Sequence, residues 1–522
     1  MNSNFKVVFN KARGALMVAN EITSSVQAKG TKTVVAAAVA AVMAGVAGSA
    51  MAATQPEPVT NIQLVTGSSV ELVQKDASGS QTTVTGVLVD TGATDDKKNL
   101  AWDADKYQIP ADASNVTIQA TGGSLVVDAT GYTGSTDFAK TYGAVTGTVA
   151  GMKVVANDKV NSTLTLKSVD LDSAVIELGT HNGKGASAKK NATLTADSVT
   201  LKEGSLTTTA TSATDADASG RGVASLVASS GAMTLGYDAT YVAGTDNKVV
   251  EADAKSFDIT AGADTLVQSS GALIYNAGTV KNAASLTFES TSGAVTLDNA
   301  VVFAGNTGKI SVKASGAANF DANYDSTVDG FTGGQLVVQG ETVSVAGSVK
   351  AASVLVGTPA ADDKTAVVLN GSTNTTLTGS LTATDTLTLG SALTVTAGTV
   401  DAAATKVSGA TAAIAVADSG QKLASVNLGA LTVDAAATAN KLTITNNASG
   451  AVSATTLKIV GASGANSGVG TVELTAGKLS LESMDIAASG TLTIGNGAEA
   501  SVTLTKGESV NAGTVEMGAS GC

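Results

Sequence analysis

The chain has 522 residues, of which 57 are Gly and 4 are Pro, only 3% are aromatic, and the formal net charge is −13. So few aromatic residues argue against an ordinary globular enzyme, whose core depends on the large apolar area of Phe, Tyr and Trp. The 43% hydrophobic content argues against disorder. The acidic charge argues against a nucleic-acid partner, and the single cysteine, Cys522, allows no internal disulfide.

An export signal is predicted at residues 29–52. Two lysines precede the apolar run 34–46, which has about the length of a secretory h-region and is too short for a membrane span. Ala50 and Ala52 supply the small-x-small pattern of a cleavage site, so cleavage is predicted between Ala52 and Ala53. An uncleaved anchor is the alternative.

Residues 1–28 form an extension in front of this signal. Apolar residues recur near helical spacing over 5–22, with Lys and Arg between them, which predicts a basic amphipathic helix that contacts the inner membrane before cleavage. The stretch MNSNFKVVFNKARGALMVANEITSS resembles the extended signal peptide region of type V secretion proteins of Gram-negative bacteria, the autotransporters and their relatives. The matching residues are Asn2, Phe5, Val8, Phe9, Asn10, Ala12, Arg13, Gly14 and Glu21.

This resemblance implies a route of delivery. The chain would pass the inner-membrane secretion machinery and then an outer-membrane translocator or barrel assembly, and it would end at the cell surface or be released. In such proteins the extension is thought to slow inner-membrane translocation, so that a long passenger does not misfold in the periplasm. The resemblance further suggests a passenger of the self-associating, AIDA-like adhesin type.

Residues 53–113 are predicted to be an N-terminal cap or leader. They hold three of the four prolines, the single Trp (Trp102) and the charged stretch TDDKKNLAWDADKY. A solenoid exposes an open strand edge at its first coil, which invites aggregation, and a cap prevents that. A flexible leader is the alternative.

Residues 114–522 are predicted to be all-β, a right-handed parallel β-helix. Runs such as KLTITNN and GTLTIGNG alternate Leu, Val or Ile with polar residues, which is the pattern of a half-buried strand. A spacing of roughly 8 to 15 residues between strands also fits a sandwich or barrel, but the persistence of the pattern favours stacked coils. Two stretches, 130–145 and 209–231, are predicted to project from the stack as loops or hairpins.

No catalytic site is predicted, and we expect that the chain is not an enzyme. His181 is the only histidine and lies in the turn-like GTHNGKG, and the sequence has no GDSG or GxSxG frame. His181 is therefore predicted to be a surface turn residue. A carboxylate-based enzyme acting on glycans is the alternative.

One stretch, FDANYDSTVDGF, has the spacing of a calcium loop. Hard oxygen ligands fall at positions 1, 3, 5 and 9. These candidates are Asp321, Asn323, Asp325 and Asp329. Ser326 replaces the usual Gly and Thr332 the closing Glu, so any Ca²⁺ affinity is predicted to be weak; an acidic solvated loop is the alternative. Ca²⁺ is the one cofactor that the sequence suggests.

The end of the sequence, NAGTVEMGASGC, has the same pattern of short strands and turns as the rest of residues 114–522. A translocator barrel would show alternating strands of about ten residues with aromatic girdles. We therefore expect either that a longer protein supplies the barrel or that a separate partner exports the chain. The predicted function is a surface adhesin, or a protein of cell–cell aggregation and biofilm, that contacts host surfaces or sister cells; a matrix or surface-layer protein is a further alternative.

Overall fold

A computed structural model gives the fold. It describes residues 113–518 except 215, 238–240, 244–248, 252–254, 329–333, 361–362, 435–438, 462–467 and 496–498, together with six short strands in the N-terminal part. These six are β1 Phe5–Asn10, β2 Ala15–Asn20, β3 Glu57–Pro58, β4 Asn61–Leu64, β5 Ser69–Glu71 and β6 Tyr107–Gln108. The described part contains no α-helix and one 3₁₀ turn, Ala218–Gly220.

The remaining strands follow one another along the chain. The first half contains β7 Thr117–Thr121, β8 Ser124–Asp128, β9 Phe138–Val155, β10 Ser162–Asn182, β11 Ala192–Ala196, β12 Val199–Leu201, β13 Gly204–Ser212, β14 Val223–Ala228, β15 Met233–Leu235, β16 Tyr241–Ala243, β17 Val249–Glu251, β18 Phe257–Ala261, β19 Asp264–Ser269, β20 Leu273–Asn282, β21 Leu286–Ser290, β22 Val295–Phe303, β23 Lys309–Ala314 and β24 Ala317–Phe320.

The second half contains β25 Tyr324–Asp325, β26 Gln335–Val345, β27 Ser348–Val356, β28 Val367–Leu377, β29 Ser380–Leu389, β30 Ala392–Thr396, β31 Thr399–Val407, β32 Ala412–Ala417, β33 Ser425–Asn427, β34 Ala430–Val433, β35 Asn440–Asn446, β36 Val452–Ile459, β37 Gly470–Ala476, β38 Lys478–Ile486, β39 Thr491–Ile494, β40 Ser501–Asn511 and β41 Thr514–Met517.

These strands stack as a parallel β-helix with three faces. In one coil, β11 lies on face 1, β12 on face 2 and β13 on face 3, and each pairs in parallel with the strand one coil later, β14, β15 and β18. Long strands such as β10 turn the corners and take part in all three faces. The predicted all-β parallel solenoid is therefore confirmed.

The core is a set of inward-facing side chains in register from coil to coil. On face 1, Leu164 pairs with Leu194, Leu194 with Leu226 and Leu226 with Val267, and all four side chains are fully buried. Their strands alternate buried with more exposed residues, as in the pattern BiBiB of β11, because successive side chains point to opposite sides of a strand. Coil length varies: 30 residues separate Leu164 from Leu194, 41 separate Leu226 from Val267, and 21 separate Val267 from Phe288. This variation explains why the sequence shows no strict repeat.

The predicted projection at 130–145 is wrong. Tyr132, Phe138 and Tyr142 are at most 8% exposed, and the first part of β9, from Phe138 to Tyr142, pairs in register with β10 on face 1. The aromatic residues there fill the interior, because Tyr132 and Phe138 pack with ring centroids 5.6 Å apart. Clustered aromatic residues in this stretch thus indicate core, although the glycines between them are typical of a loop.

The second predicted projection, 209–231, is right only in its middle part. Residues 213–222, apart from 215, form a mostly exposed loop with one 3₁₀ turn, whereas 209–212 end β13 and 223–228 form β14, and both strands are paired within the stack. A further projection was not predicted: β16 and β17 pair antiparallel as a hairpin, and the bridge Tyr237↔Lys255 closes its base. Strands β16 and β17 are short, so they give only a weak alternating signal in the sequence.

The N-terminal signal does not show the predicted helical segment. Instead, β1 and β2 pair antiparallel, with Phe5 opposite Asn20. The run FKVVFN is rich in β-branched and aromatic residues, which favour strands, and this propensity competes with the helical spacing of the apolar positions. Apart from β1 and β2, the predicted extension 1–28 lies outside the described residues.

The predicted cap at 53–113 is described only in part. β4 pairs in parallel with β7, and β5 pairs with β8. These two strands extend the stack by a partial coil, and Ile62 and Leu64 are fully buried. Trp102 and most of the segment lie outside the described residues, so the cap stays a prediction. Among the residues that the structure describes, no helix is long and apolar enough to span a membrane.

Candidate functional surface

Two of the four calcium candidates, Asn323 and Asp325, lie on face 3. Asn323 forms an isolated bridge with Val302 of the preceding coil, and Asp325 ends the short strand β25. Asp329 lies outside the described residues. The described part of the chain contains no group of three or more His, Cys, Asp or Glu side chains able to hold a metal ion; the calcium site stays a prediction.

Two of these side chains already have protein partners. Asn323 Oδ1 accepts a hydrogen bond from Ser348 N (2.9 Å). Asp325 Oδ1 accepts from Thr327 N (2.9 Å), and Asp325 Oδ2 forms an ion pair with Lys350 Nζ (3.3 Å). Burial works to raise the pKa of Asp325, but the bonds from Thr327 and Lys350 outweigh it and lower that pKa. The contacts with Ser348 and Lys350 join one coil to the next.

Asp321 has a different environment. It lies at the corner between faces 2 and 3, directly above Asp298 of the preceding coil, because Leu297 pairs with Phe320. Burial, and then the negative charge of Asp298, raise the pKa of the Asp321 carboxyl. Two carboxylates stacked in this way repel each other when both are charged.

His181 lies at the end of β10, where its backbone pairs with Lys190 through bonds of 3.0 and 2.9 Å. The predicted cleavage residues Ala50, Ala52 and Ala53, and Cys522, lie outside the described residues. Of the extended signal motif, Phe5, Val8, Phe9 and Asn10 belong to β1, and the other motif residues are outside the described part.

A regular feature of the surface is a polar ladder on face 2. One outward-facing position repeats in register through consecutive coils, and nearly all its side chains are small and polar. The ladder consists of Gln119, Thr146, Asp170, Thr200, Thr234, Ile274, Thr296, Asn319, Ser344, Thr376, Thr394, Ala415 and Thr445. With about 4.8 Å between neighbouring strands, it is on the order of 60 Å long.

Side-chain hydrogen bonds stiffen parts of this ladder. Asn319 Nδ2 donates to Thr296 Oγ1 over 3.2 Å. Asn374, beside the ladder, donates from Nδ2 to Thr376 Oγ1 (2.7 Å) and accepts at Oδ1 from Thr394 Oγ1 (3.3 Å). A hydroxyl can donate one hydrogen bond and accept two, so these groups retain capacity for a partner outside the molecule.

The ladder is nearly uncharged, although the chain has a formal net charge of −13. Asp170 is the one charged residue in the row given above. Elsewhere, ion pairs join successive coils, including Lys153–Asp128 (2.9 Å) and Lys202–Asp172 (2.7 Å). The ladder is therefore a nearly uncharged strip on which another polar surface can lie with little charge repulsion.

The corner between faces 3 and 1 carries a second, shorter polar row. Asp137 Oδ1 accepts from Asn161 N (3.1 Å), Asn161 Oδ1 accepts from Asn191 N (2.8 Å), and Asn191 Oδ1 accepts from Val223 N (2.9 Å). These bonds satisfy backbone groups where the strands turn. The row therefore serves the stack itself.

A shallow depression of about 340 Å³ lies at the corner between faces 1 and 2. Its polar lining includes Gln339, Glu341, Asn370 and Ser372. Thr373 Oγ1 donates to the Glu341 carbonyl oxygen (2.8 Å), which joins the two coils at its rim.

The alternating pattern predicts polar residues on the outer side of each strand, but none of the ladder residues was predicted individually. The available signal was Thr between two Leu, Val or Ile residues, as in LTL and TLT. Which of these residues align in one row depends on the register between coils of unequal length, and the sequence does not contain that register explicitly.

Comparison with known proteins identifies the N-terminal segment. Residues 1–50 match the family described as the Extended Signal Peptide of Type V secretion system. No curated protein and no solved structure matches the chain. Residues 1–50 therefore carry the extended signal peptide of type V secretion, and the stacked strands that follow have the architecture of a parallel β-helix.

Proposed function

We propose that this chain is an exported bacterial surface protein, delivered by type V secretion, whose β-helical rod acts in adhesion or in cell–cell aggregation. The observation that carries the proposal is the face 2 ladder, in which most coils place a polar, uncharged side chain, usually Thr, at the same outward position. Many weak contacts between two long surfaces add up to strong attachment when they form together.

Both the extended signal peptide and the β-helical stack support this proposal. The extended signal peptide at 1–50 is a feature of type V secretion. A stack of parallel coils gains length without needing a wider core, because each coil contacts only its neighbours. A rigid rod of this kind would hold its ladder away from the cell surface, within reach of a host surface or of sister cells.

The test is to produce the full chain in its own cells and measure cell aggregation and attachment to host cells. A variant with Thr234→Lys, Thr296→Lys and Thr394→Lys places like charges along the ladder. We expect it to lower aggregation or attachment at least tenfold while the amount of surface protein is unchanged. A variant with Thr382→Lys and Ser453→Lys on face 3 adds charge away from the ladder, and we expect it to behave like the unaltered protein.

Aggregation and attachment that survive the ladder variant would remove the basis of the proposal. Loss of cell–cell aggregation alone would assign the ladder to contacts between copies, as in a matrix or surface-layer protein. Loss of host attachment alone would assign it to a host ligand. That the chain is not an enzyme stays a prediction, and incubation of the purified rod with polysaccharides tests it.

A further inference from the structure

The strands on face 1 are out of chain order at one place. Leu336–Val338 pairs in parallel with Val367–Leu369. Val367–Leu369 pairs on its other side with Val354–Val356, and Val354–Val356 pairs with Leu387–Leu389 of the next coil. A later segment of the chain therefore lies between two earlier ones.

Hydrogen bonds on both sides show that this segment is fully inserted. Leu336 N donates to the Ala366 carbonyl oxygen (2.8 Å), and Gly357 N donates to the Leu369 carbonyl oxygen (2.9 Å). Val367 and Leu369 are fully buried in the core. The outward side chain Val368 is also fully buried, in a small outer cluster with Val337 and Leu355.

Faces 2 and 3 have no counterpart to the inserted segment. On face 2, Thr342–Val345 pairs directly with Asn374–Leu377. On face 3, Ser348–Ala351 pairs directly with Ser380–Ala383. Face 1 is therefore one strand, about 4.8 Å, longer than its neighbours over the same coils.

The corners beside the inserted segment are irregular. The pairing shifts register between Gly340 and Thr342, where face 1 turns into face 2, and again between Ala351 and Ser353, where face 3 turns into face 1. Similar shifts occur at other corners of the stack, so they are not specific to the insertion. The 340 Å³ depression opens at the first of these two corners.

The two strands on either side of the insertion have the same pattern of inward and outward side chains and the same register with the inserted segment. Leu336 and Val338 face inward and are fully buried, as are Val354 and Val356. Both pairs stand in register with the same inserted residues, so direct pairing would keep every side chain on its present side. A slip by one residue would instead exchange the inward and outward sets.

We propose that Val367–Gly371 is an insertable strand and that the rod has a second state in which Val354–Val356 pairs directly with Leu336–Val338. In that state residues 357–373 form a surface loop, and all three faces hold equal numbers of strands. The inserted state buries Val367, Val368 and Leu369, whereas the released state removes the mismatch between faces. When the strand is released, Asn370 and Ser372 no longer line the depression, so the position of the strand determines whether the depression exists.

Disulfide trapping in the full chain tests this proposal, with Cys522→Ser as background. The Val337→Cys/Val368→Cys variant joins neighbours of the inserted state, and we expect it to cross-link rapidly with oxidised glutathione. The Val337→Cys/Leu355→Cys variant joins positions about 9.6 Å apart when the strand is inserted, beyond disulfide reach. We expect it to cross-link more slowly but to completion, as release brings the two thiols together.

The control is Val337→Cys/Thr388→Cys, whose positions are neighbours in neither state. Cross-linking in an unfolded chain would favour the Leu355 pair over the Thr388 pair by only about fivefold, from the difference in loop length. We expect a ratio of at least fiftyfold, and we expect Leu369→Asn to raise the rate of the Leu355 pair while lowering that of the Val368 pair. A ratio of fivefold or less, or no response to Leu369→Asn, overturns the proposal.

Discussion

Asp321 and Asp325 lie four residues apart, and we expect replacing each with Asn to change stability in opposite directions at neutral pH. Burial and the Asp298 charge raise the pKa of Asp321, so its charged form destabilises the fold. For Asp325, burial acts in the same direction, but bonds from Thr327 and Lys350 lower its pKa overall, so its charged form stabilises the fold.

The signs follow from the direction of each shift. A raised pKa means that Asp321 costs nothing below its unfolded pKa of about 3.9, that its cost grows as pH rises above that value, and that the cost is complete above its folded pKa. A lowered pKa means that the contribution of Asp325 is present above about 3.9 and is lost as pH falls through its folded pKa. The effect of each substitution on stability should therefore be greater at pH 7 than near pH 2.

The magnitudes are modest because both groups are partly exposed. The side chains of Asp325 and Lys350 are 36% and 43% exposed, with their charged atoms 3.3 Å apart. Exposed pairs of this kind contribute about 0.5 to 1 kcal/mol, and an Asn side chain in place of Asp325 would still accept the bond from Thr327. We expect Asp325→Asn to cost about 0.5 kcal/mol at pH 7 and Asp321→Asn to raise the stability at the same pH.

The assay is thermal unfolding of both variants at pH 7 and pH 2 in a chelator, repeated at pH 7 with Ca²⁺. Destabilisation by Asp321→Asn at pH 7 in the chelator would refute the electrostatic reasoning. The calcium prediction has its own outcome in the same experiment. If the loop binds Ca²⁺, the ion should raise the melting temperature of the unaltered chain and have less effect on either variant.

Three further outcomes are expected. Phe303→Ala removes ring contacts at 5.8 and 5.6 Å and should cost about 3 to 5 kcal/mol, measured by hydrogen exchange in β22, with Phe303→Leu costing less. Gly204→Ala should cost about 3 kcal/mol or more because φ is +125° and a Cβ would overlap the Ala174 carbonyl oxygen, whereas Gly185→Ala, at φ +78° with open space, should cost about 1 kcal/mol. N-terminal sequencing of the exported chain should begin at Ala53; another start would refute the predicted cleavage site.

The alternation of apolar and polar residues was sufficient to predict the fold class. In KLTITNN each inward Leu or Ile is followed by an outward Thr, and β35 has the matching burial pattern. This pattern is local, because it depends only on the two-residue period of a strand. The persistence of short strands without helices then favoured a stack of coils over a closed domain.

The same local reasoning fails where one residue type occurs both in projecting loops and in the core. The stretch around Tyr132, Phe138 and Tyr142 has the composition of a projecting loop, yet these side chains lie in the core. The calcium spacing at Asp321 to Asp329 is visible in the sequence, but the neighbours that shift the pKa values, Asp298 and Lys350, belong to adjacent coils. No local pattern indicates which residues of different coils will be neighbours.

The sequence by itself determined the export signal and the strand-rich architecture, since both rest on short motifs and on periodicity within a few residues. Only the tertiary structure decided which threonines form the face 2 ladder and that Val367–Leu369 inserts between Leu336–Val338 and Val354–Val356. The physical reason is that many short β-rich segments have the same alternation and could pair in several orders. Corner lengths and the burial of each coil against its neighbours select one of these orders.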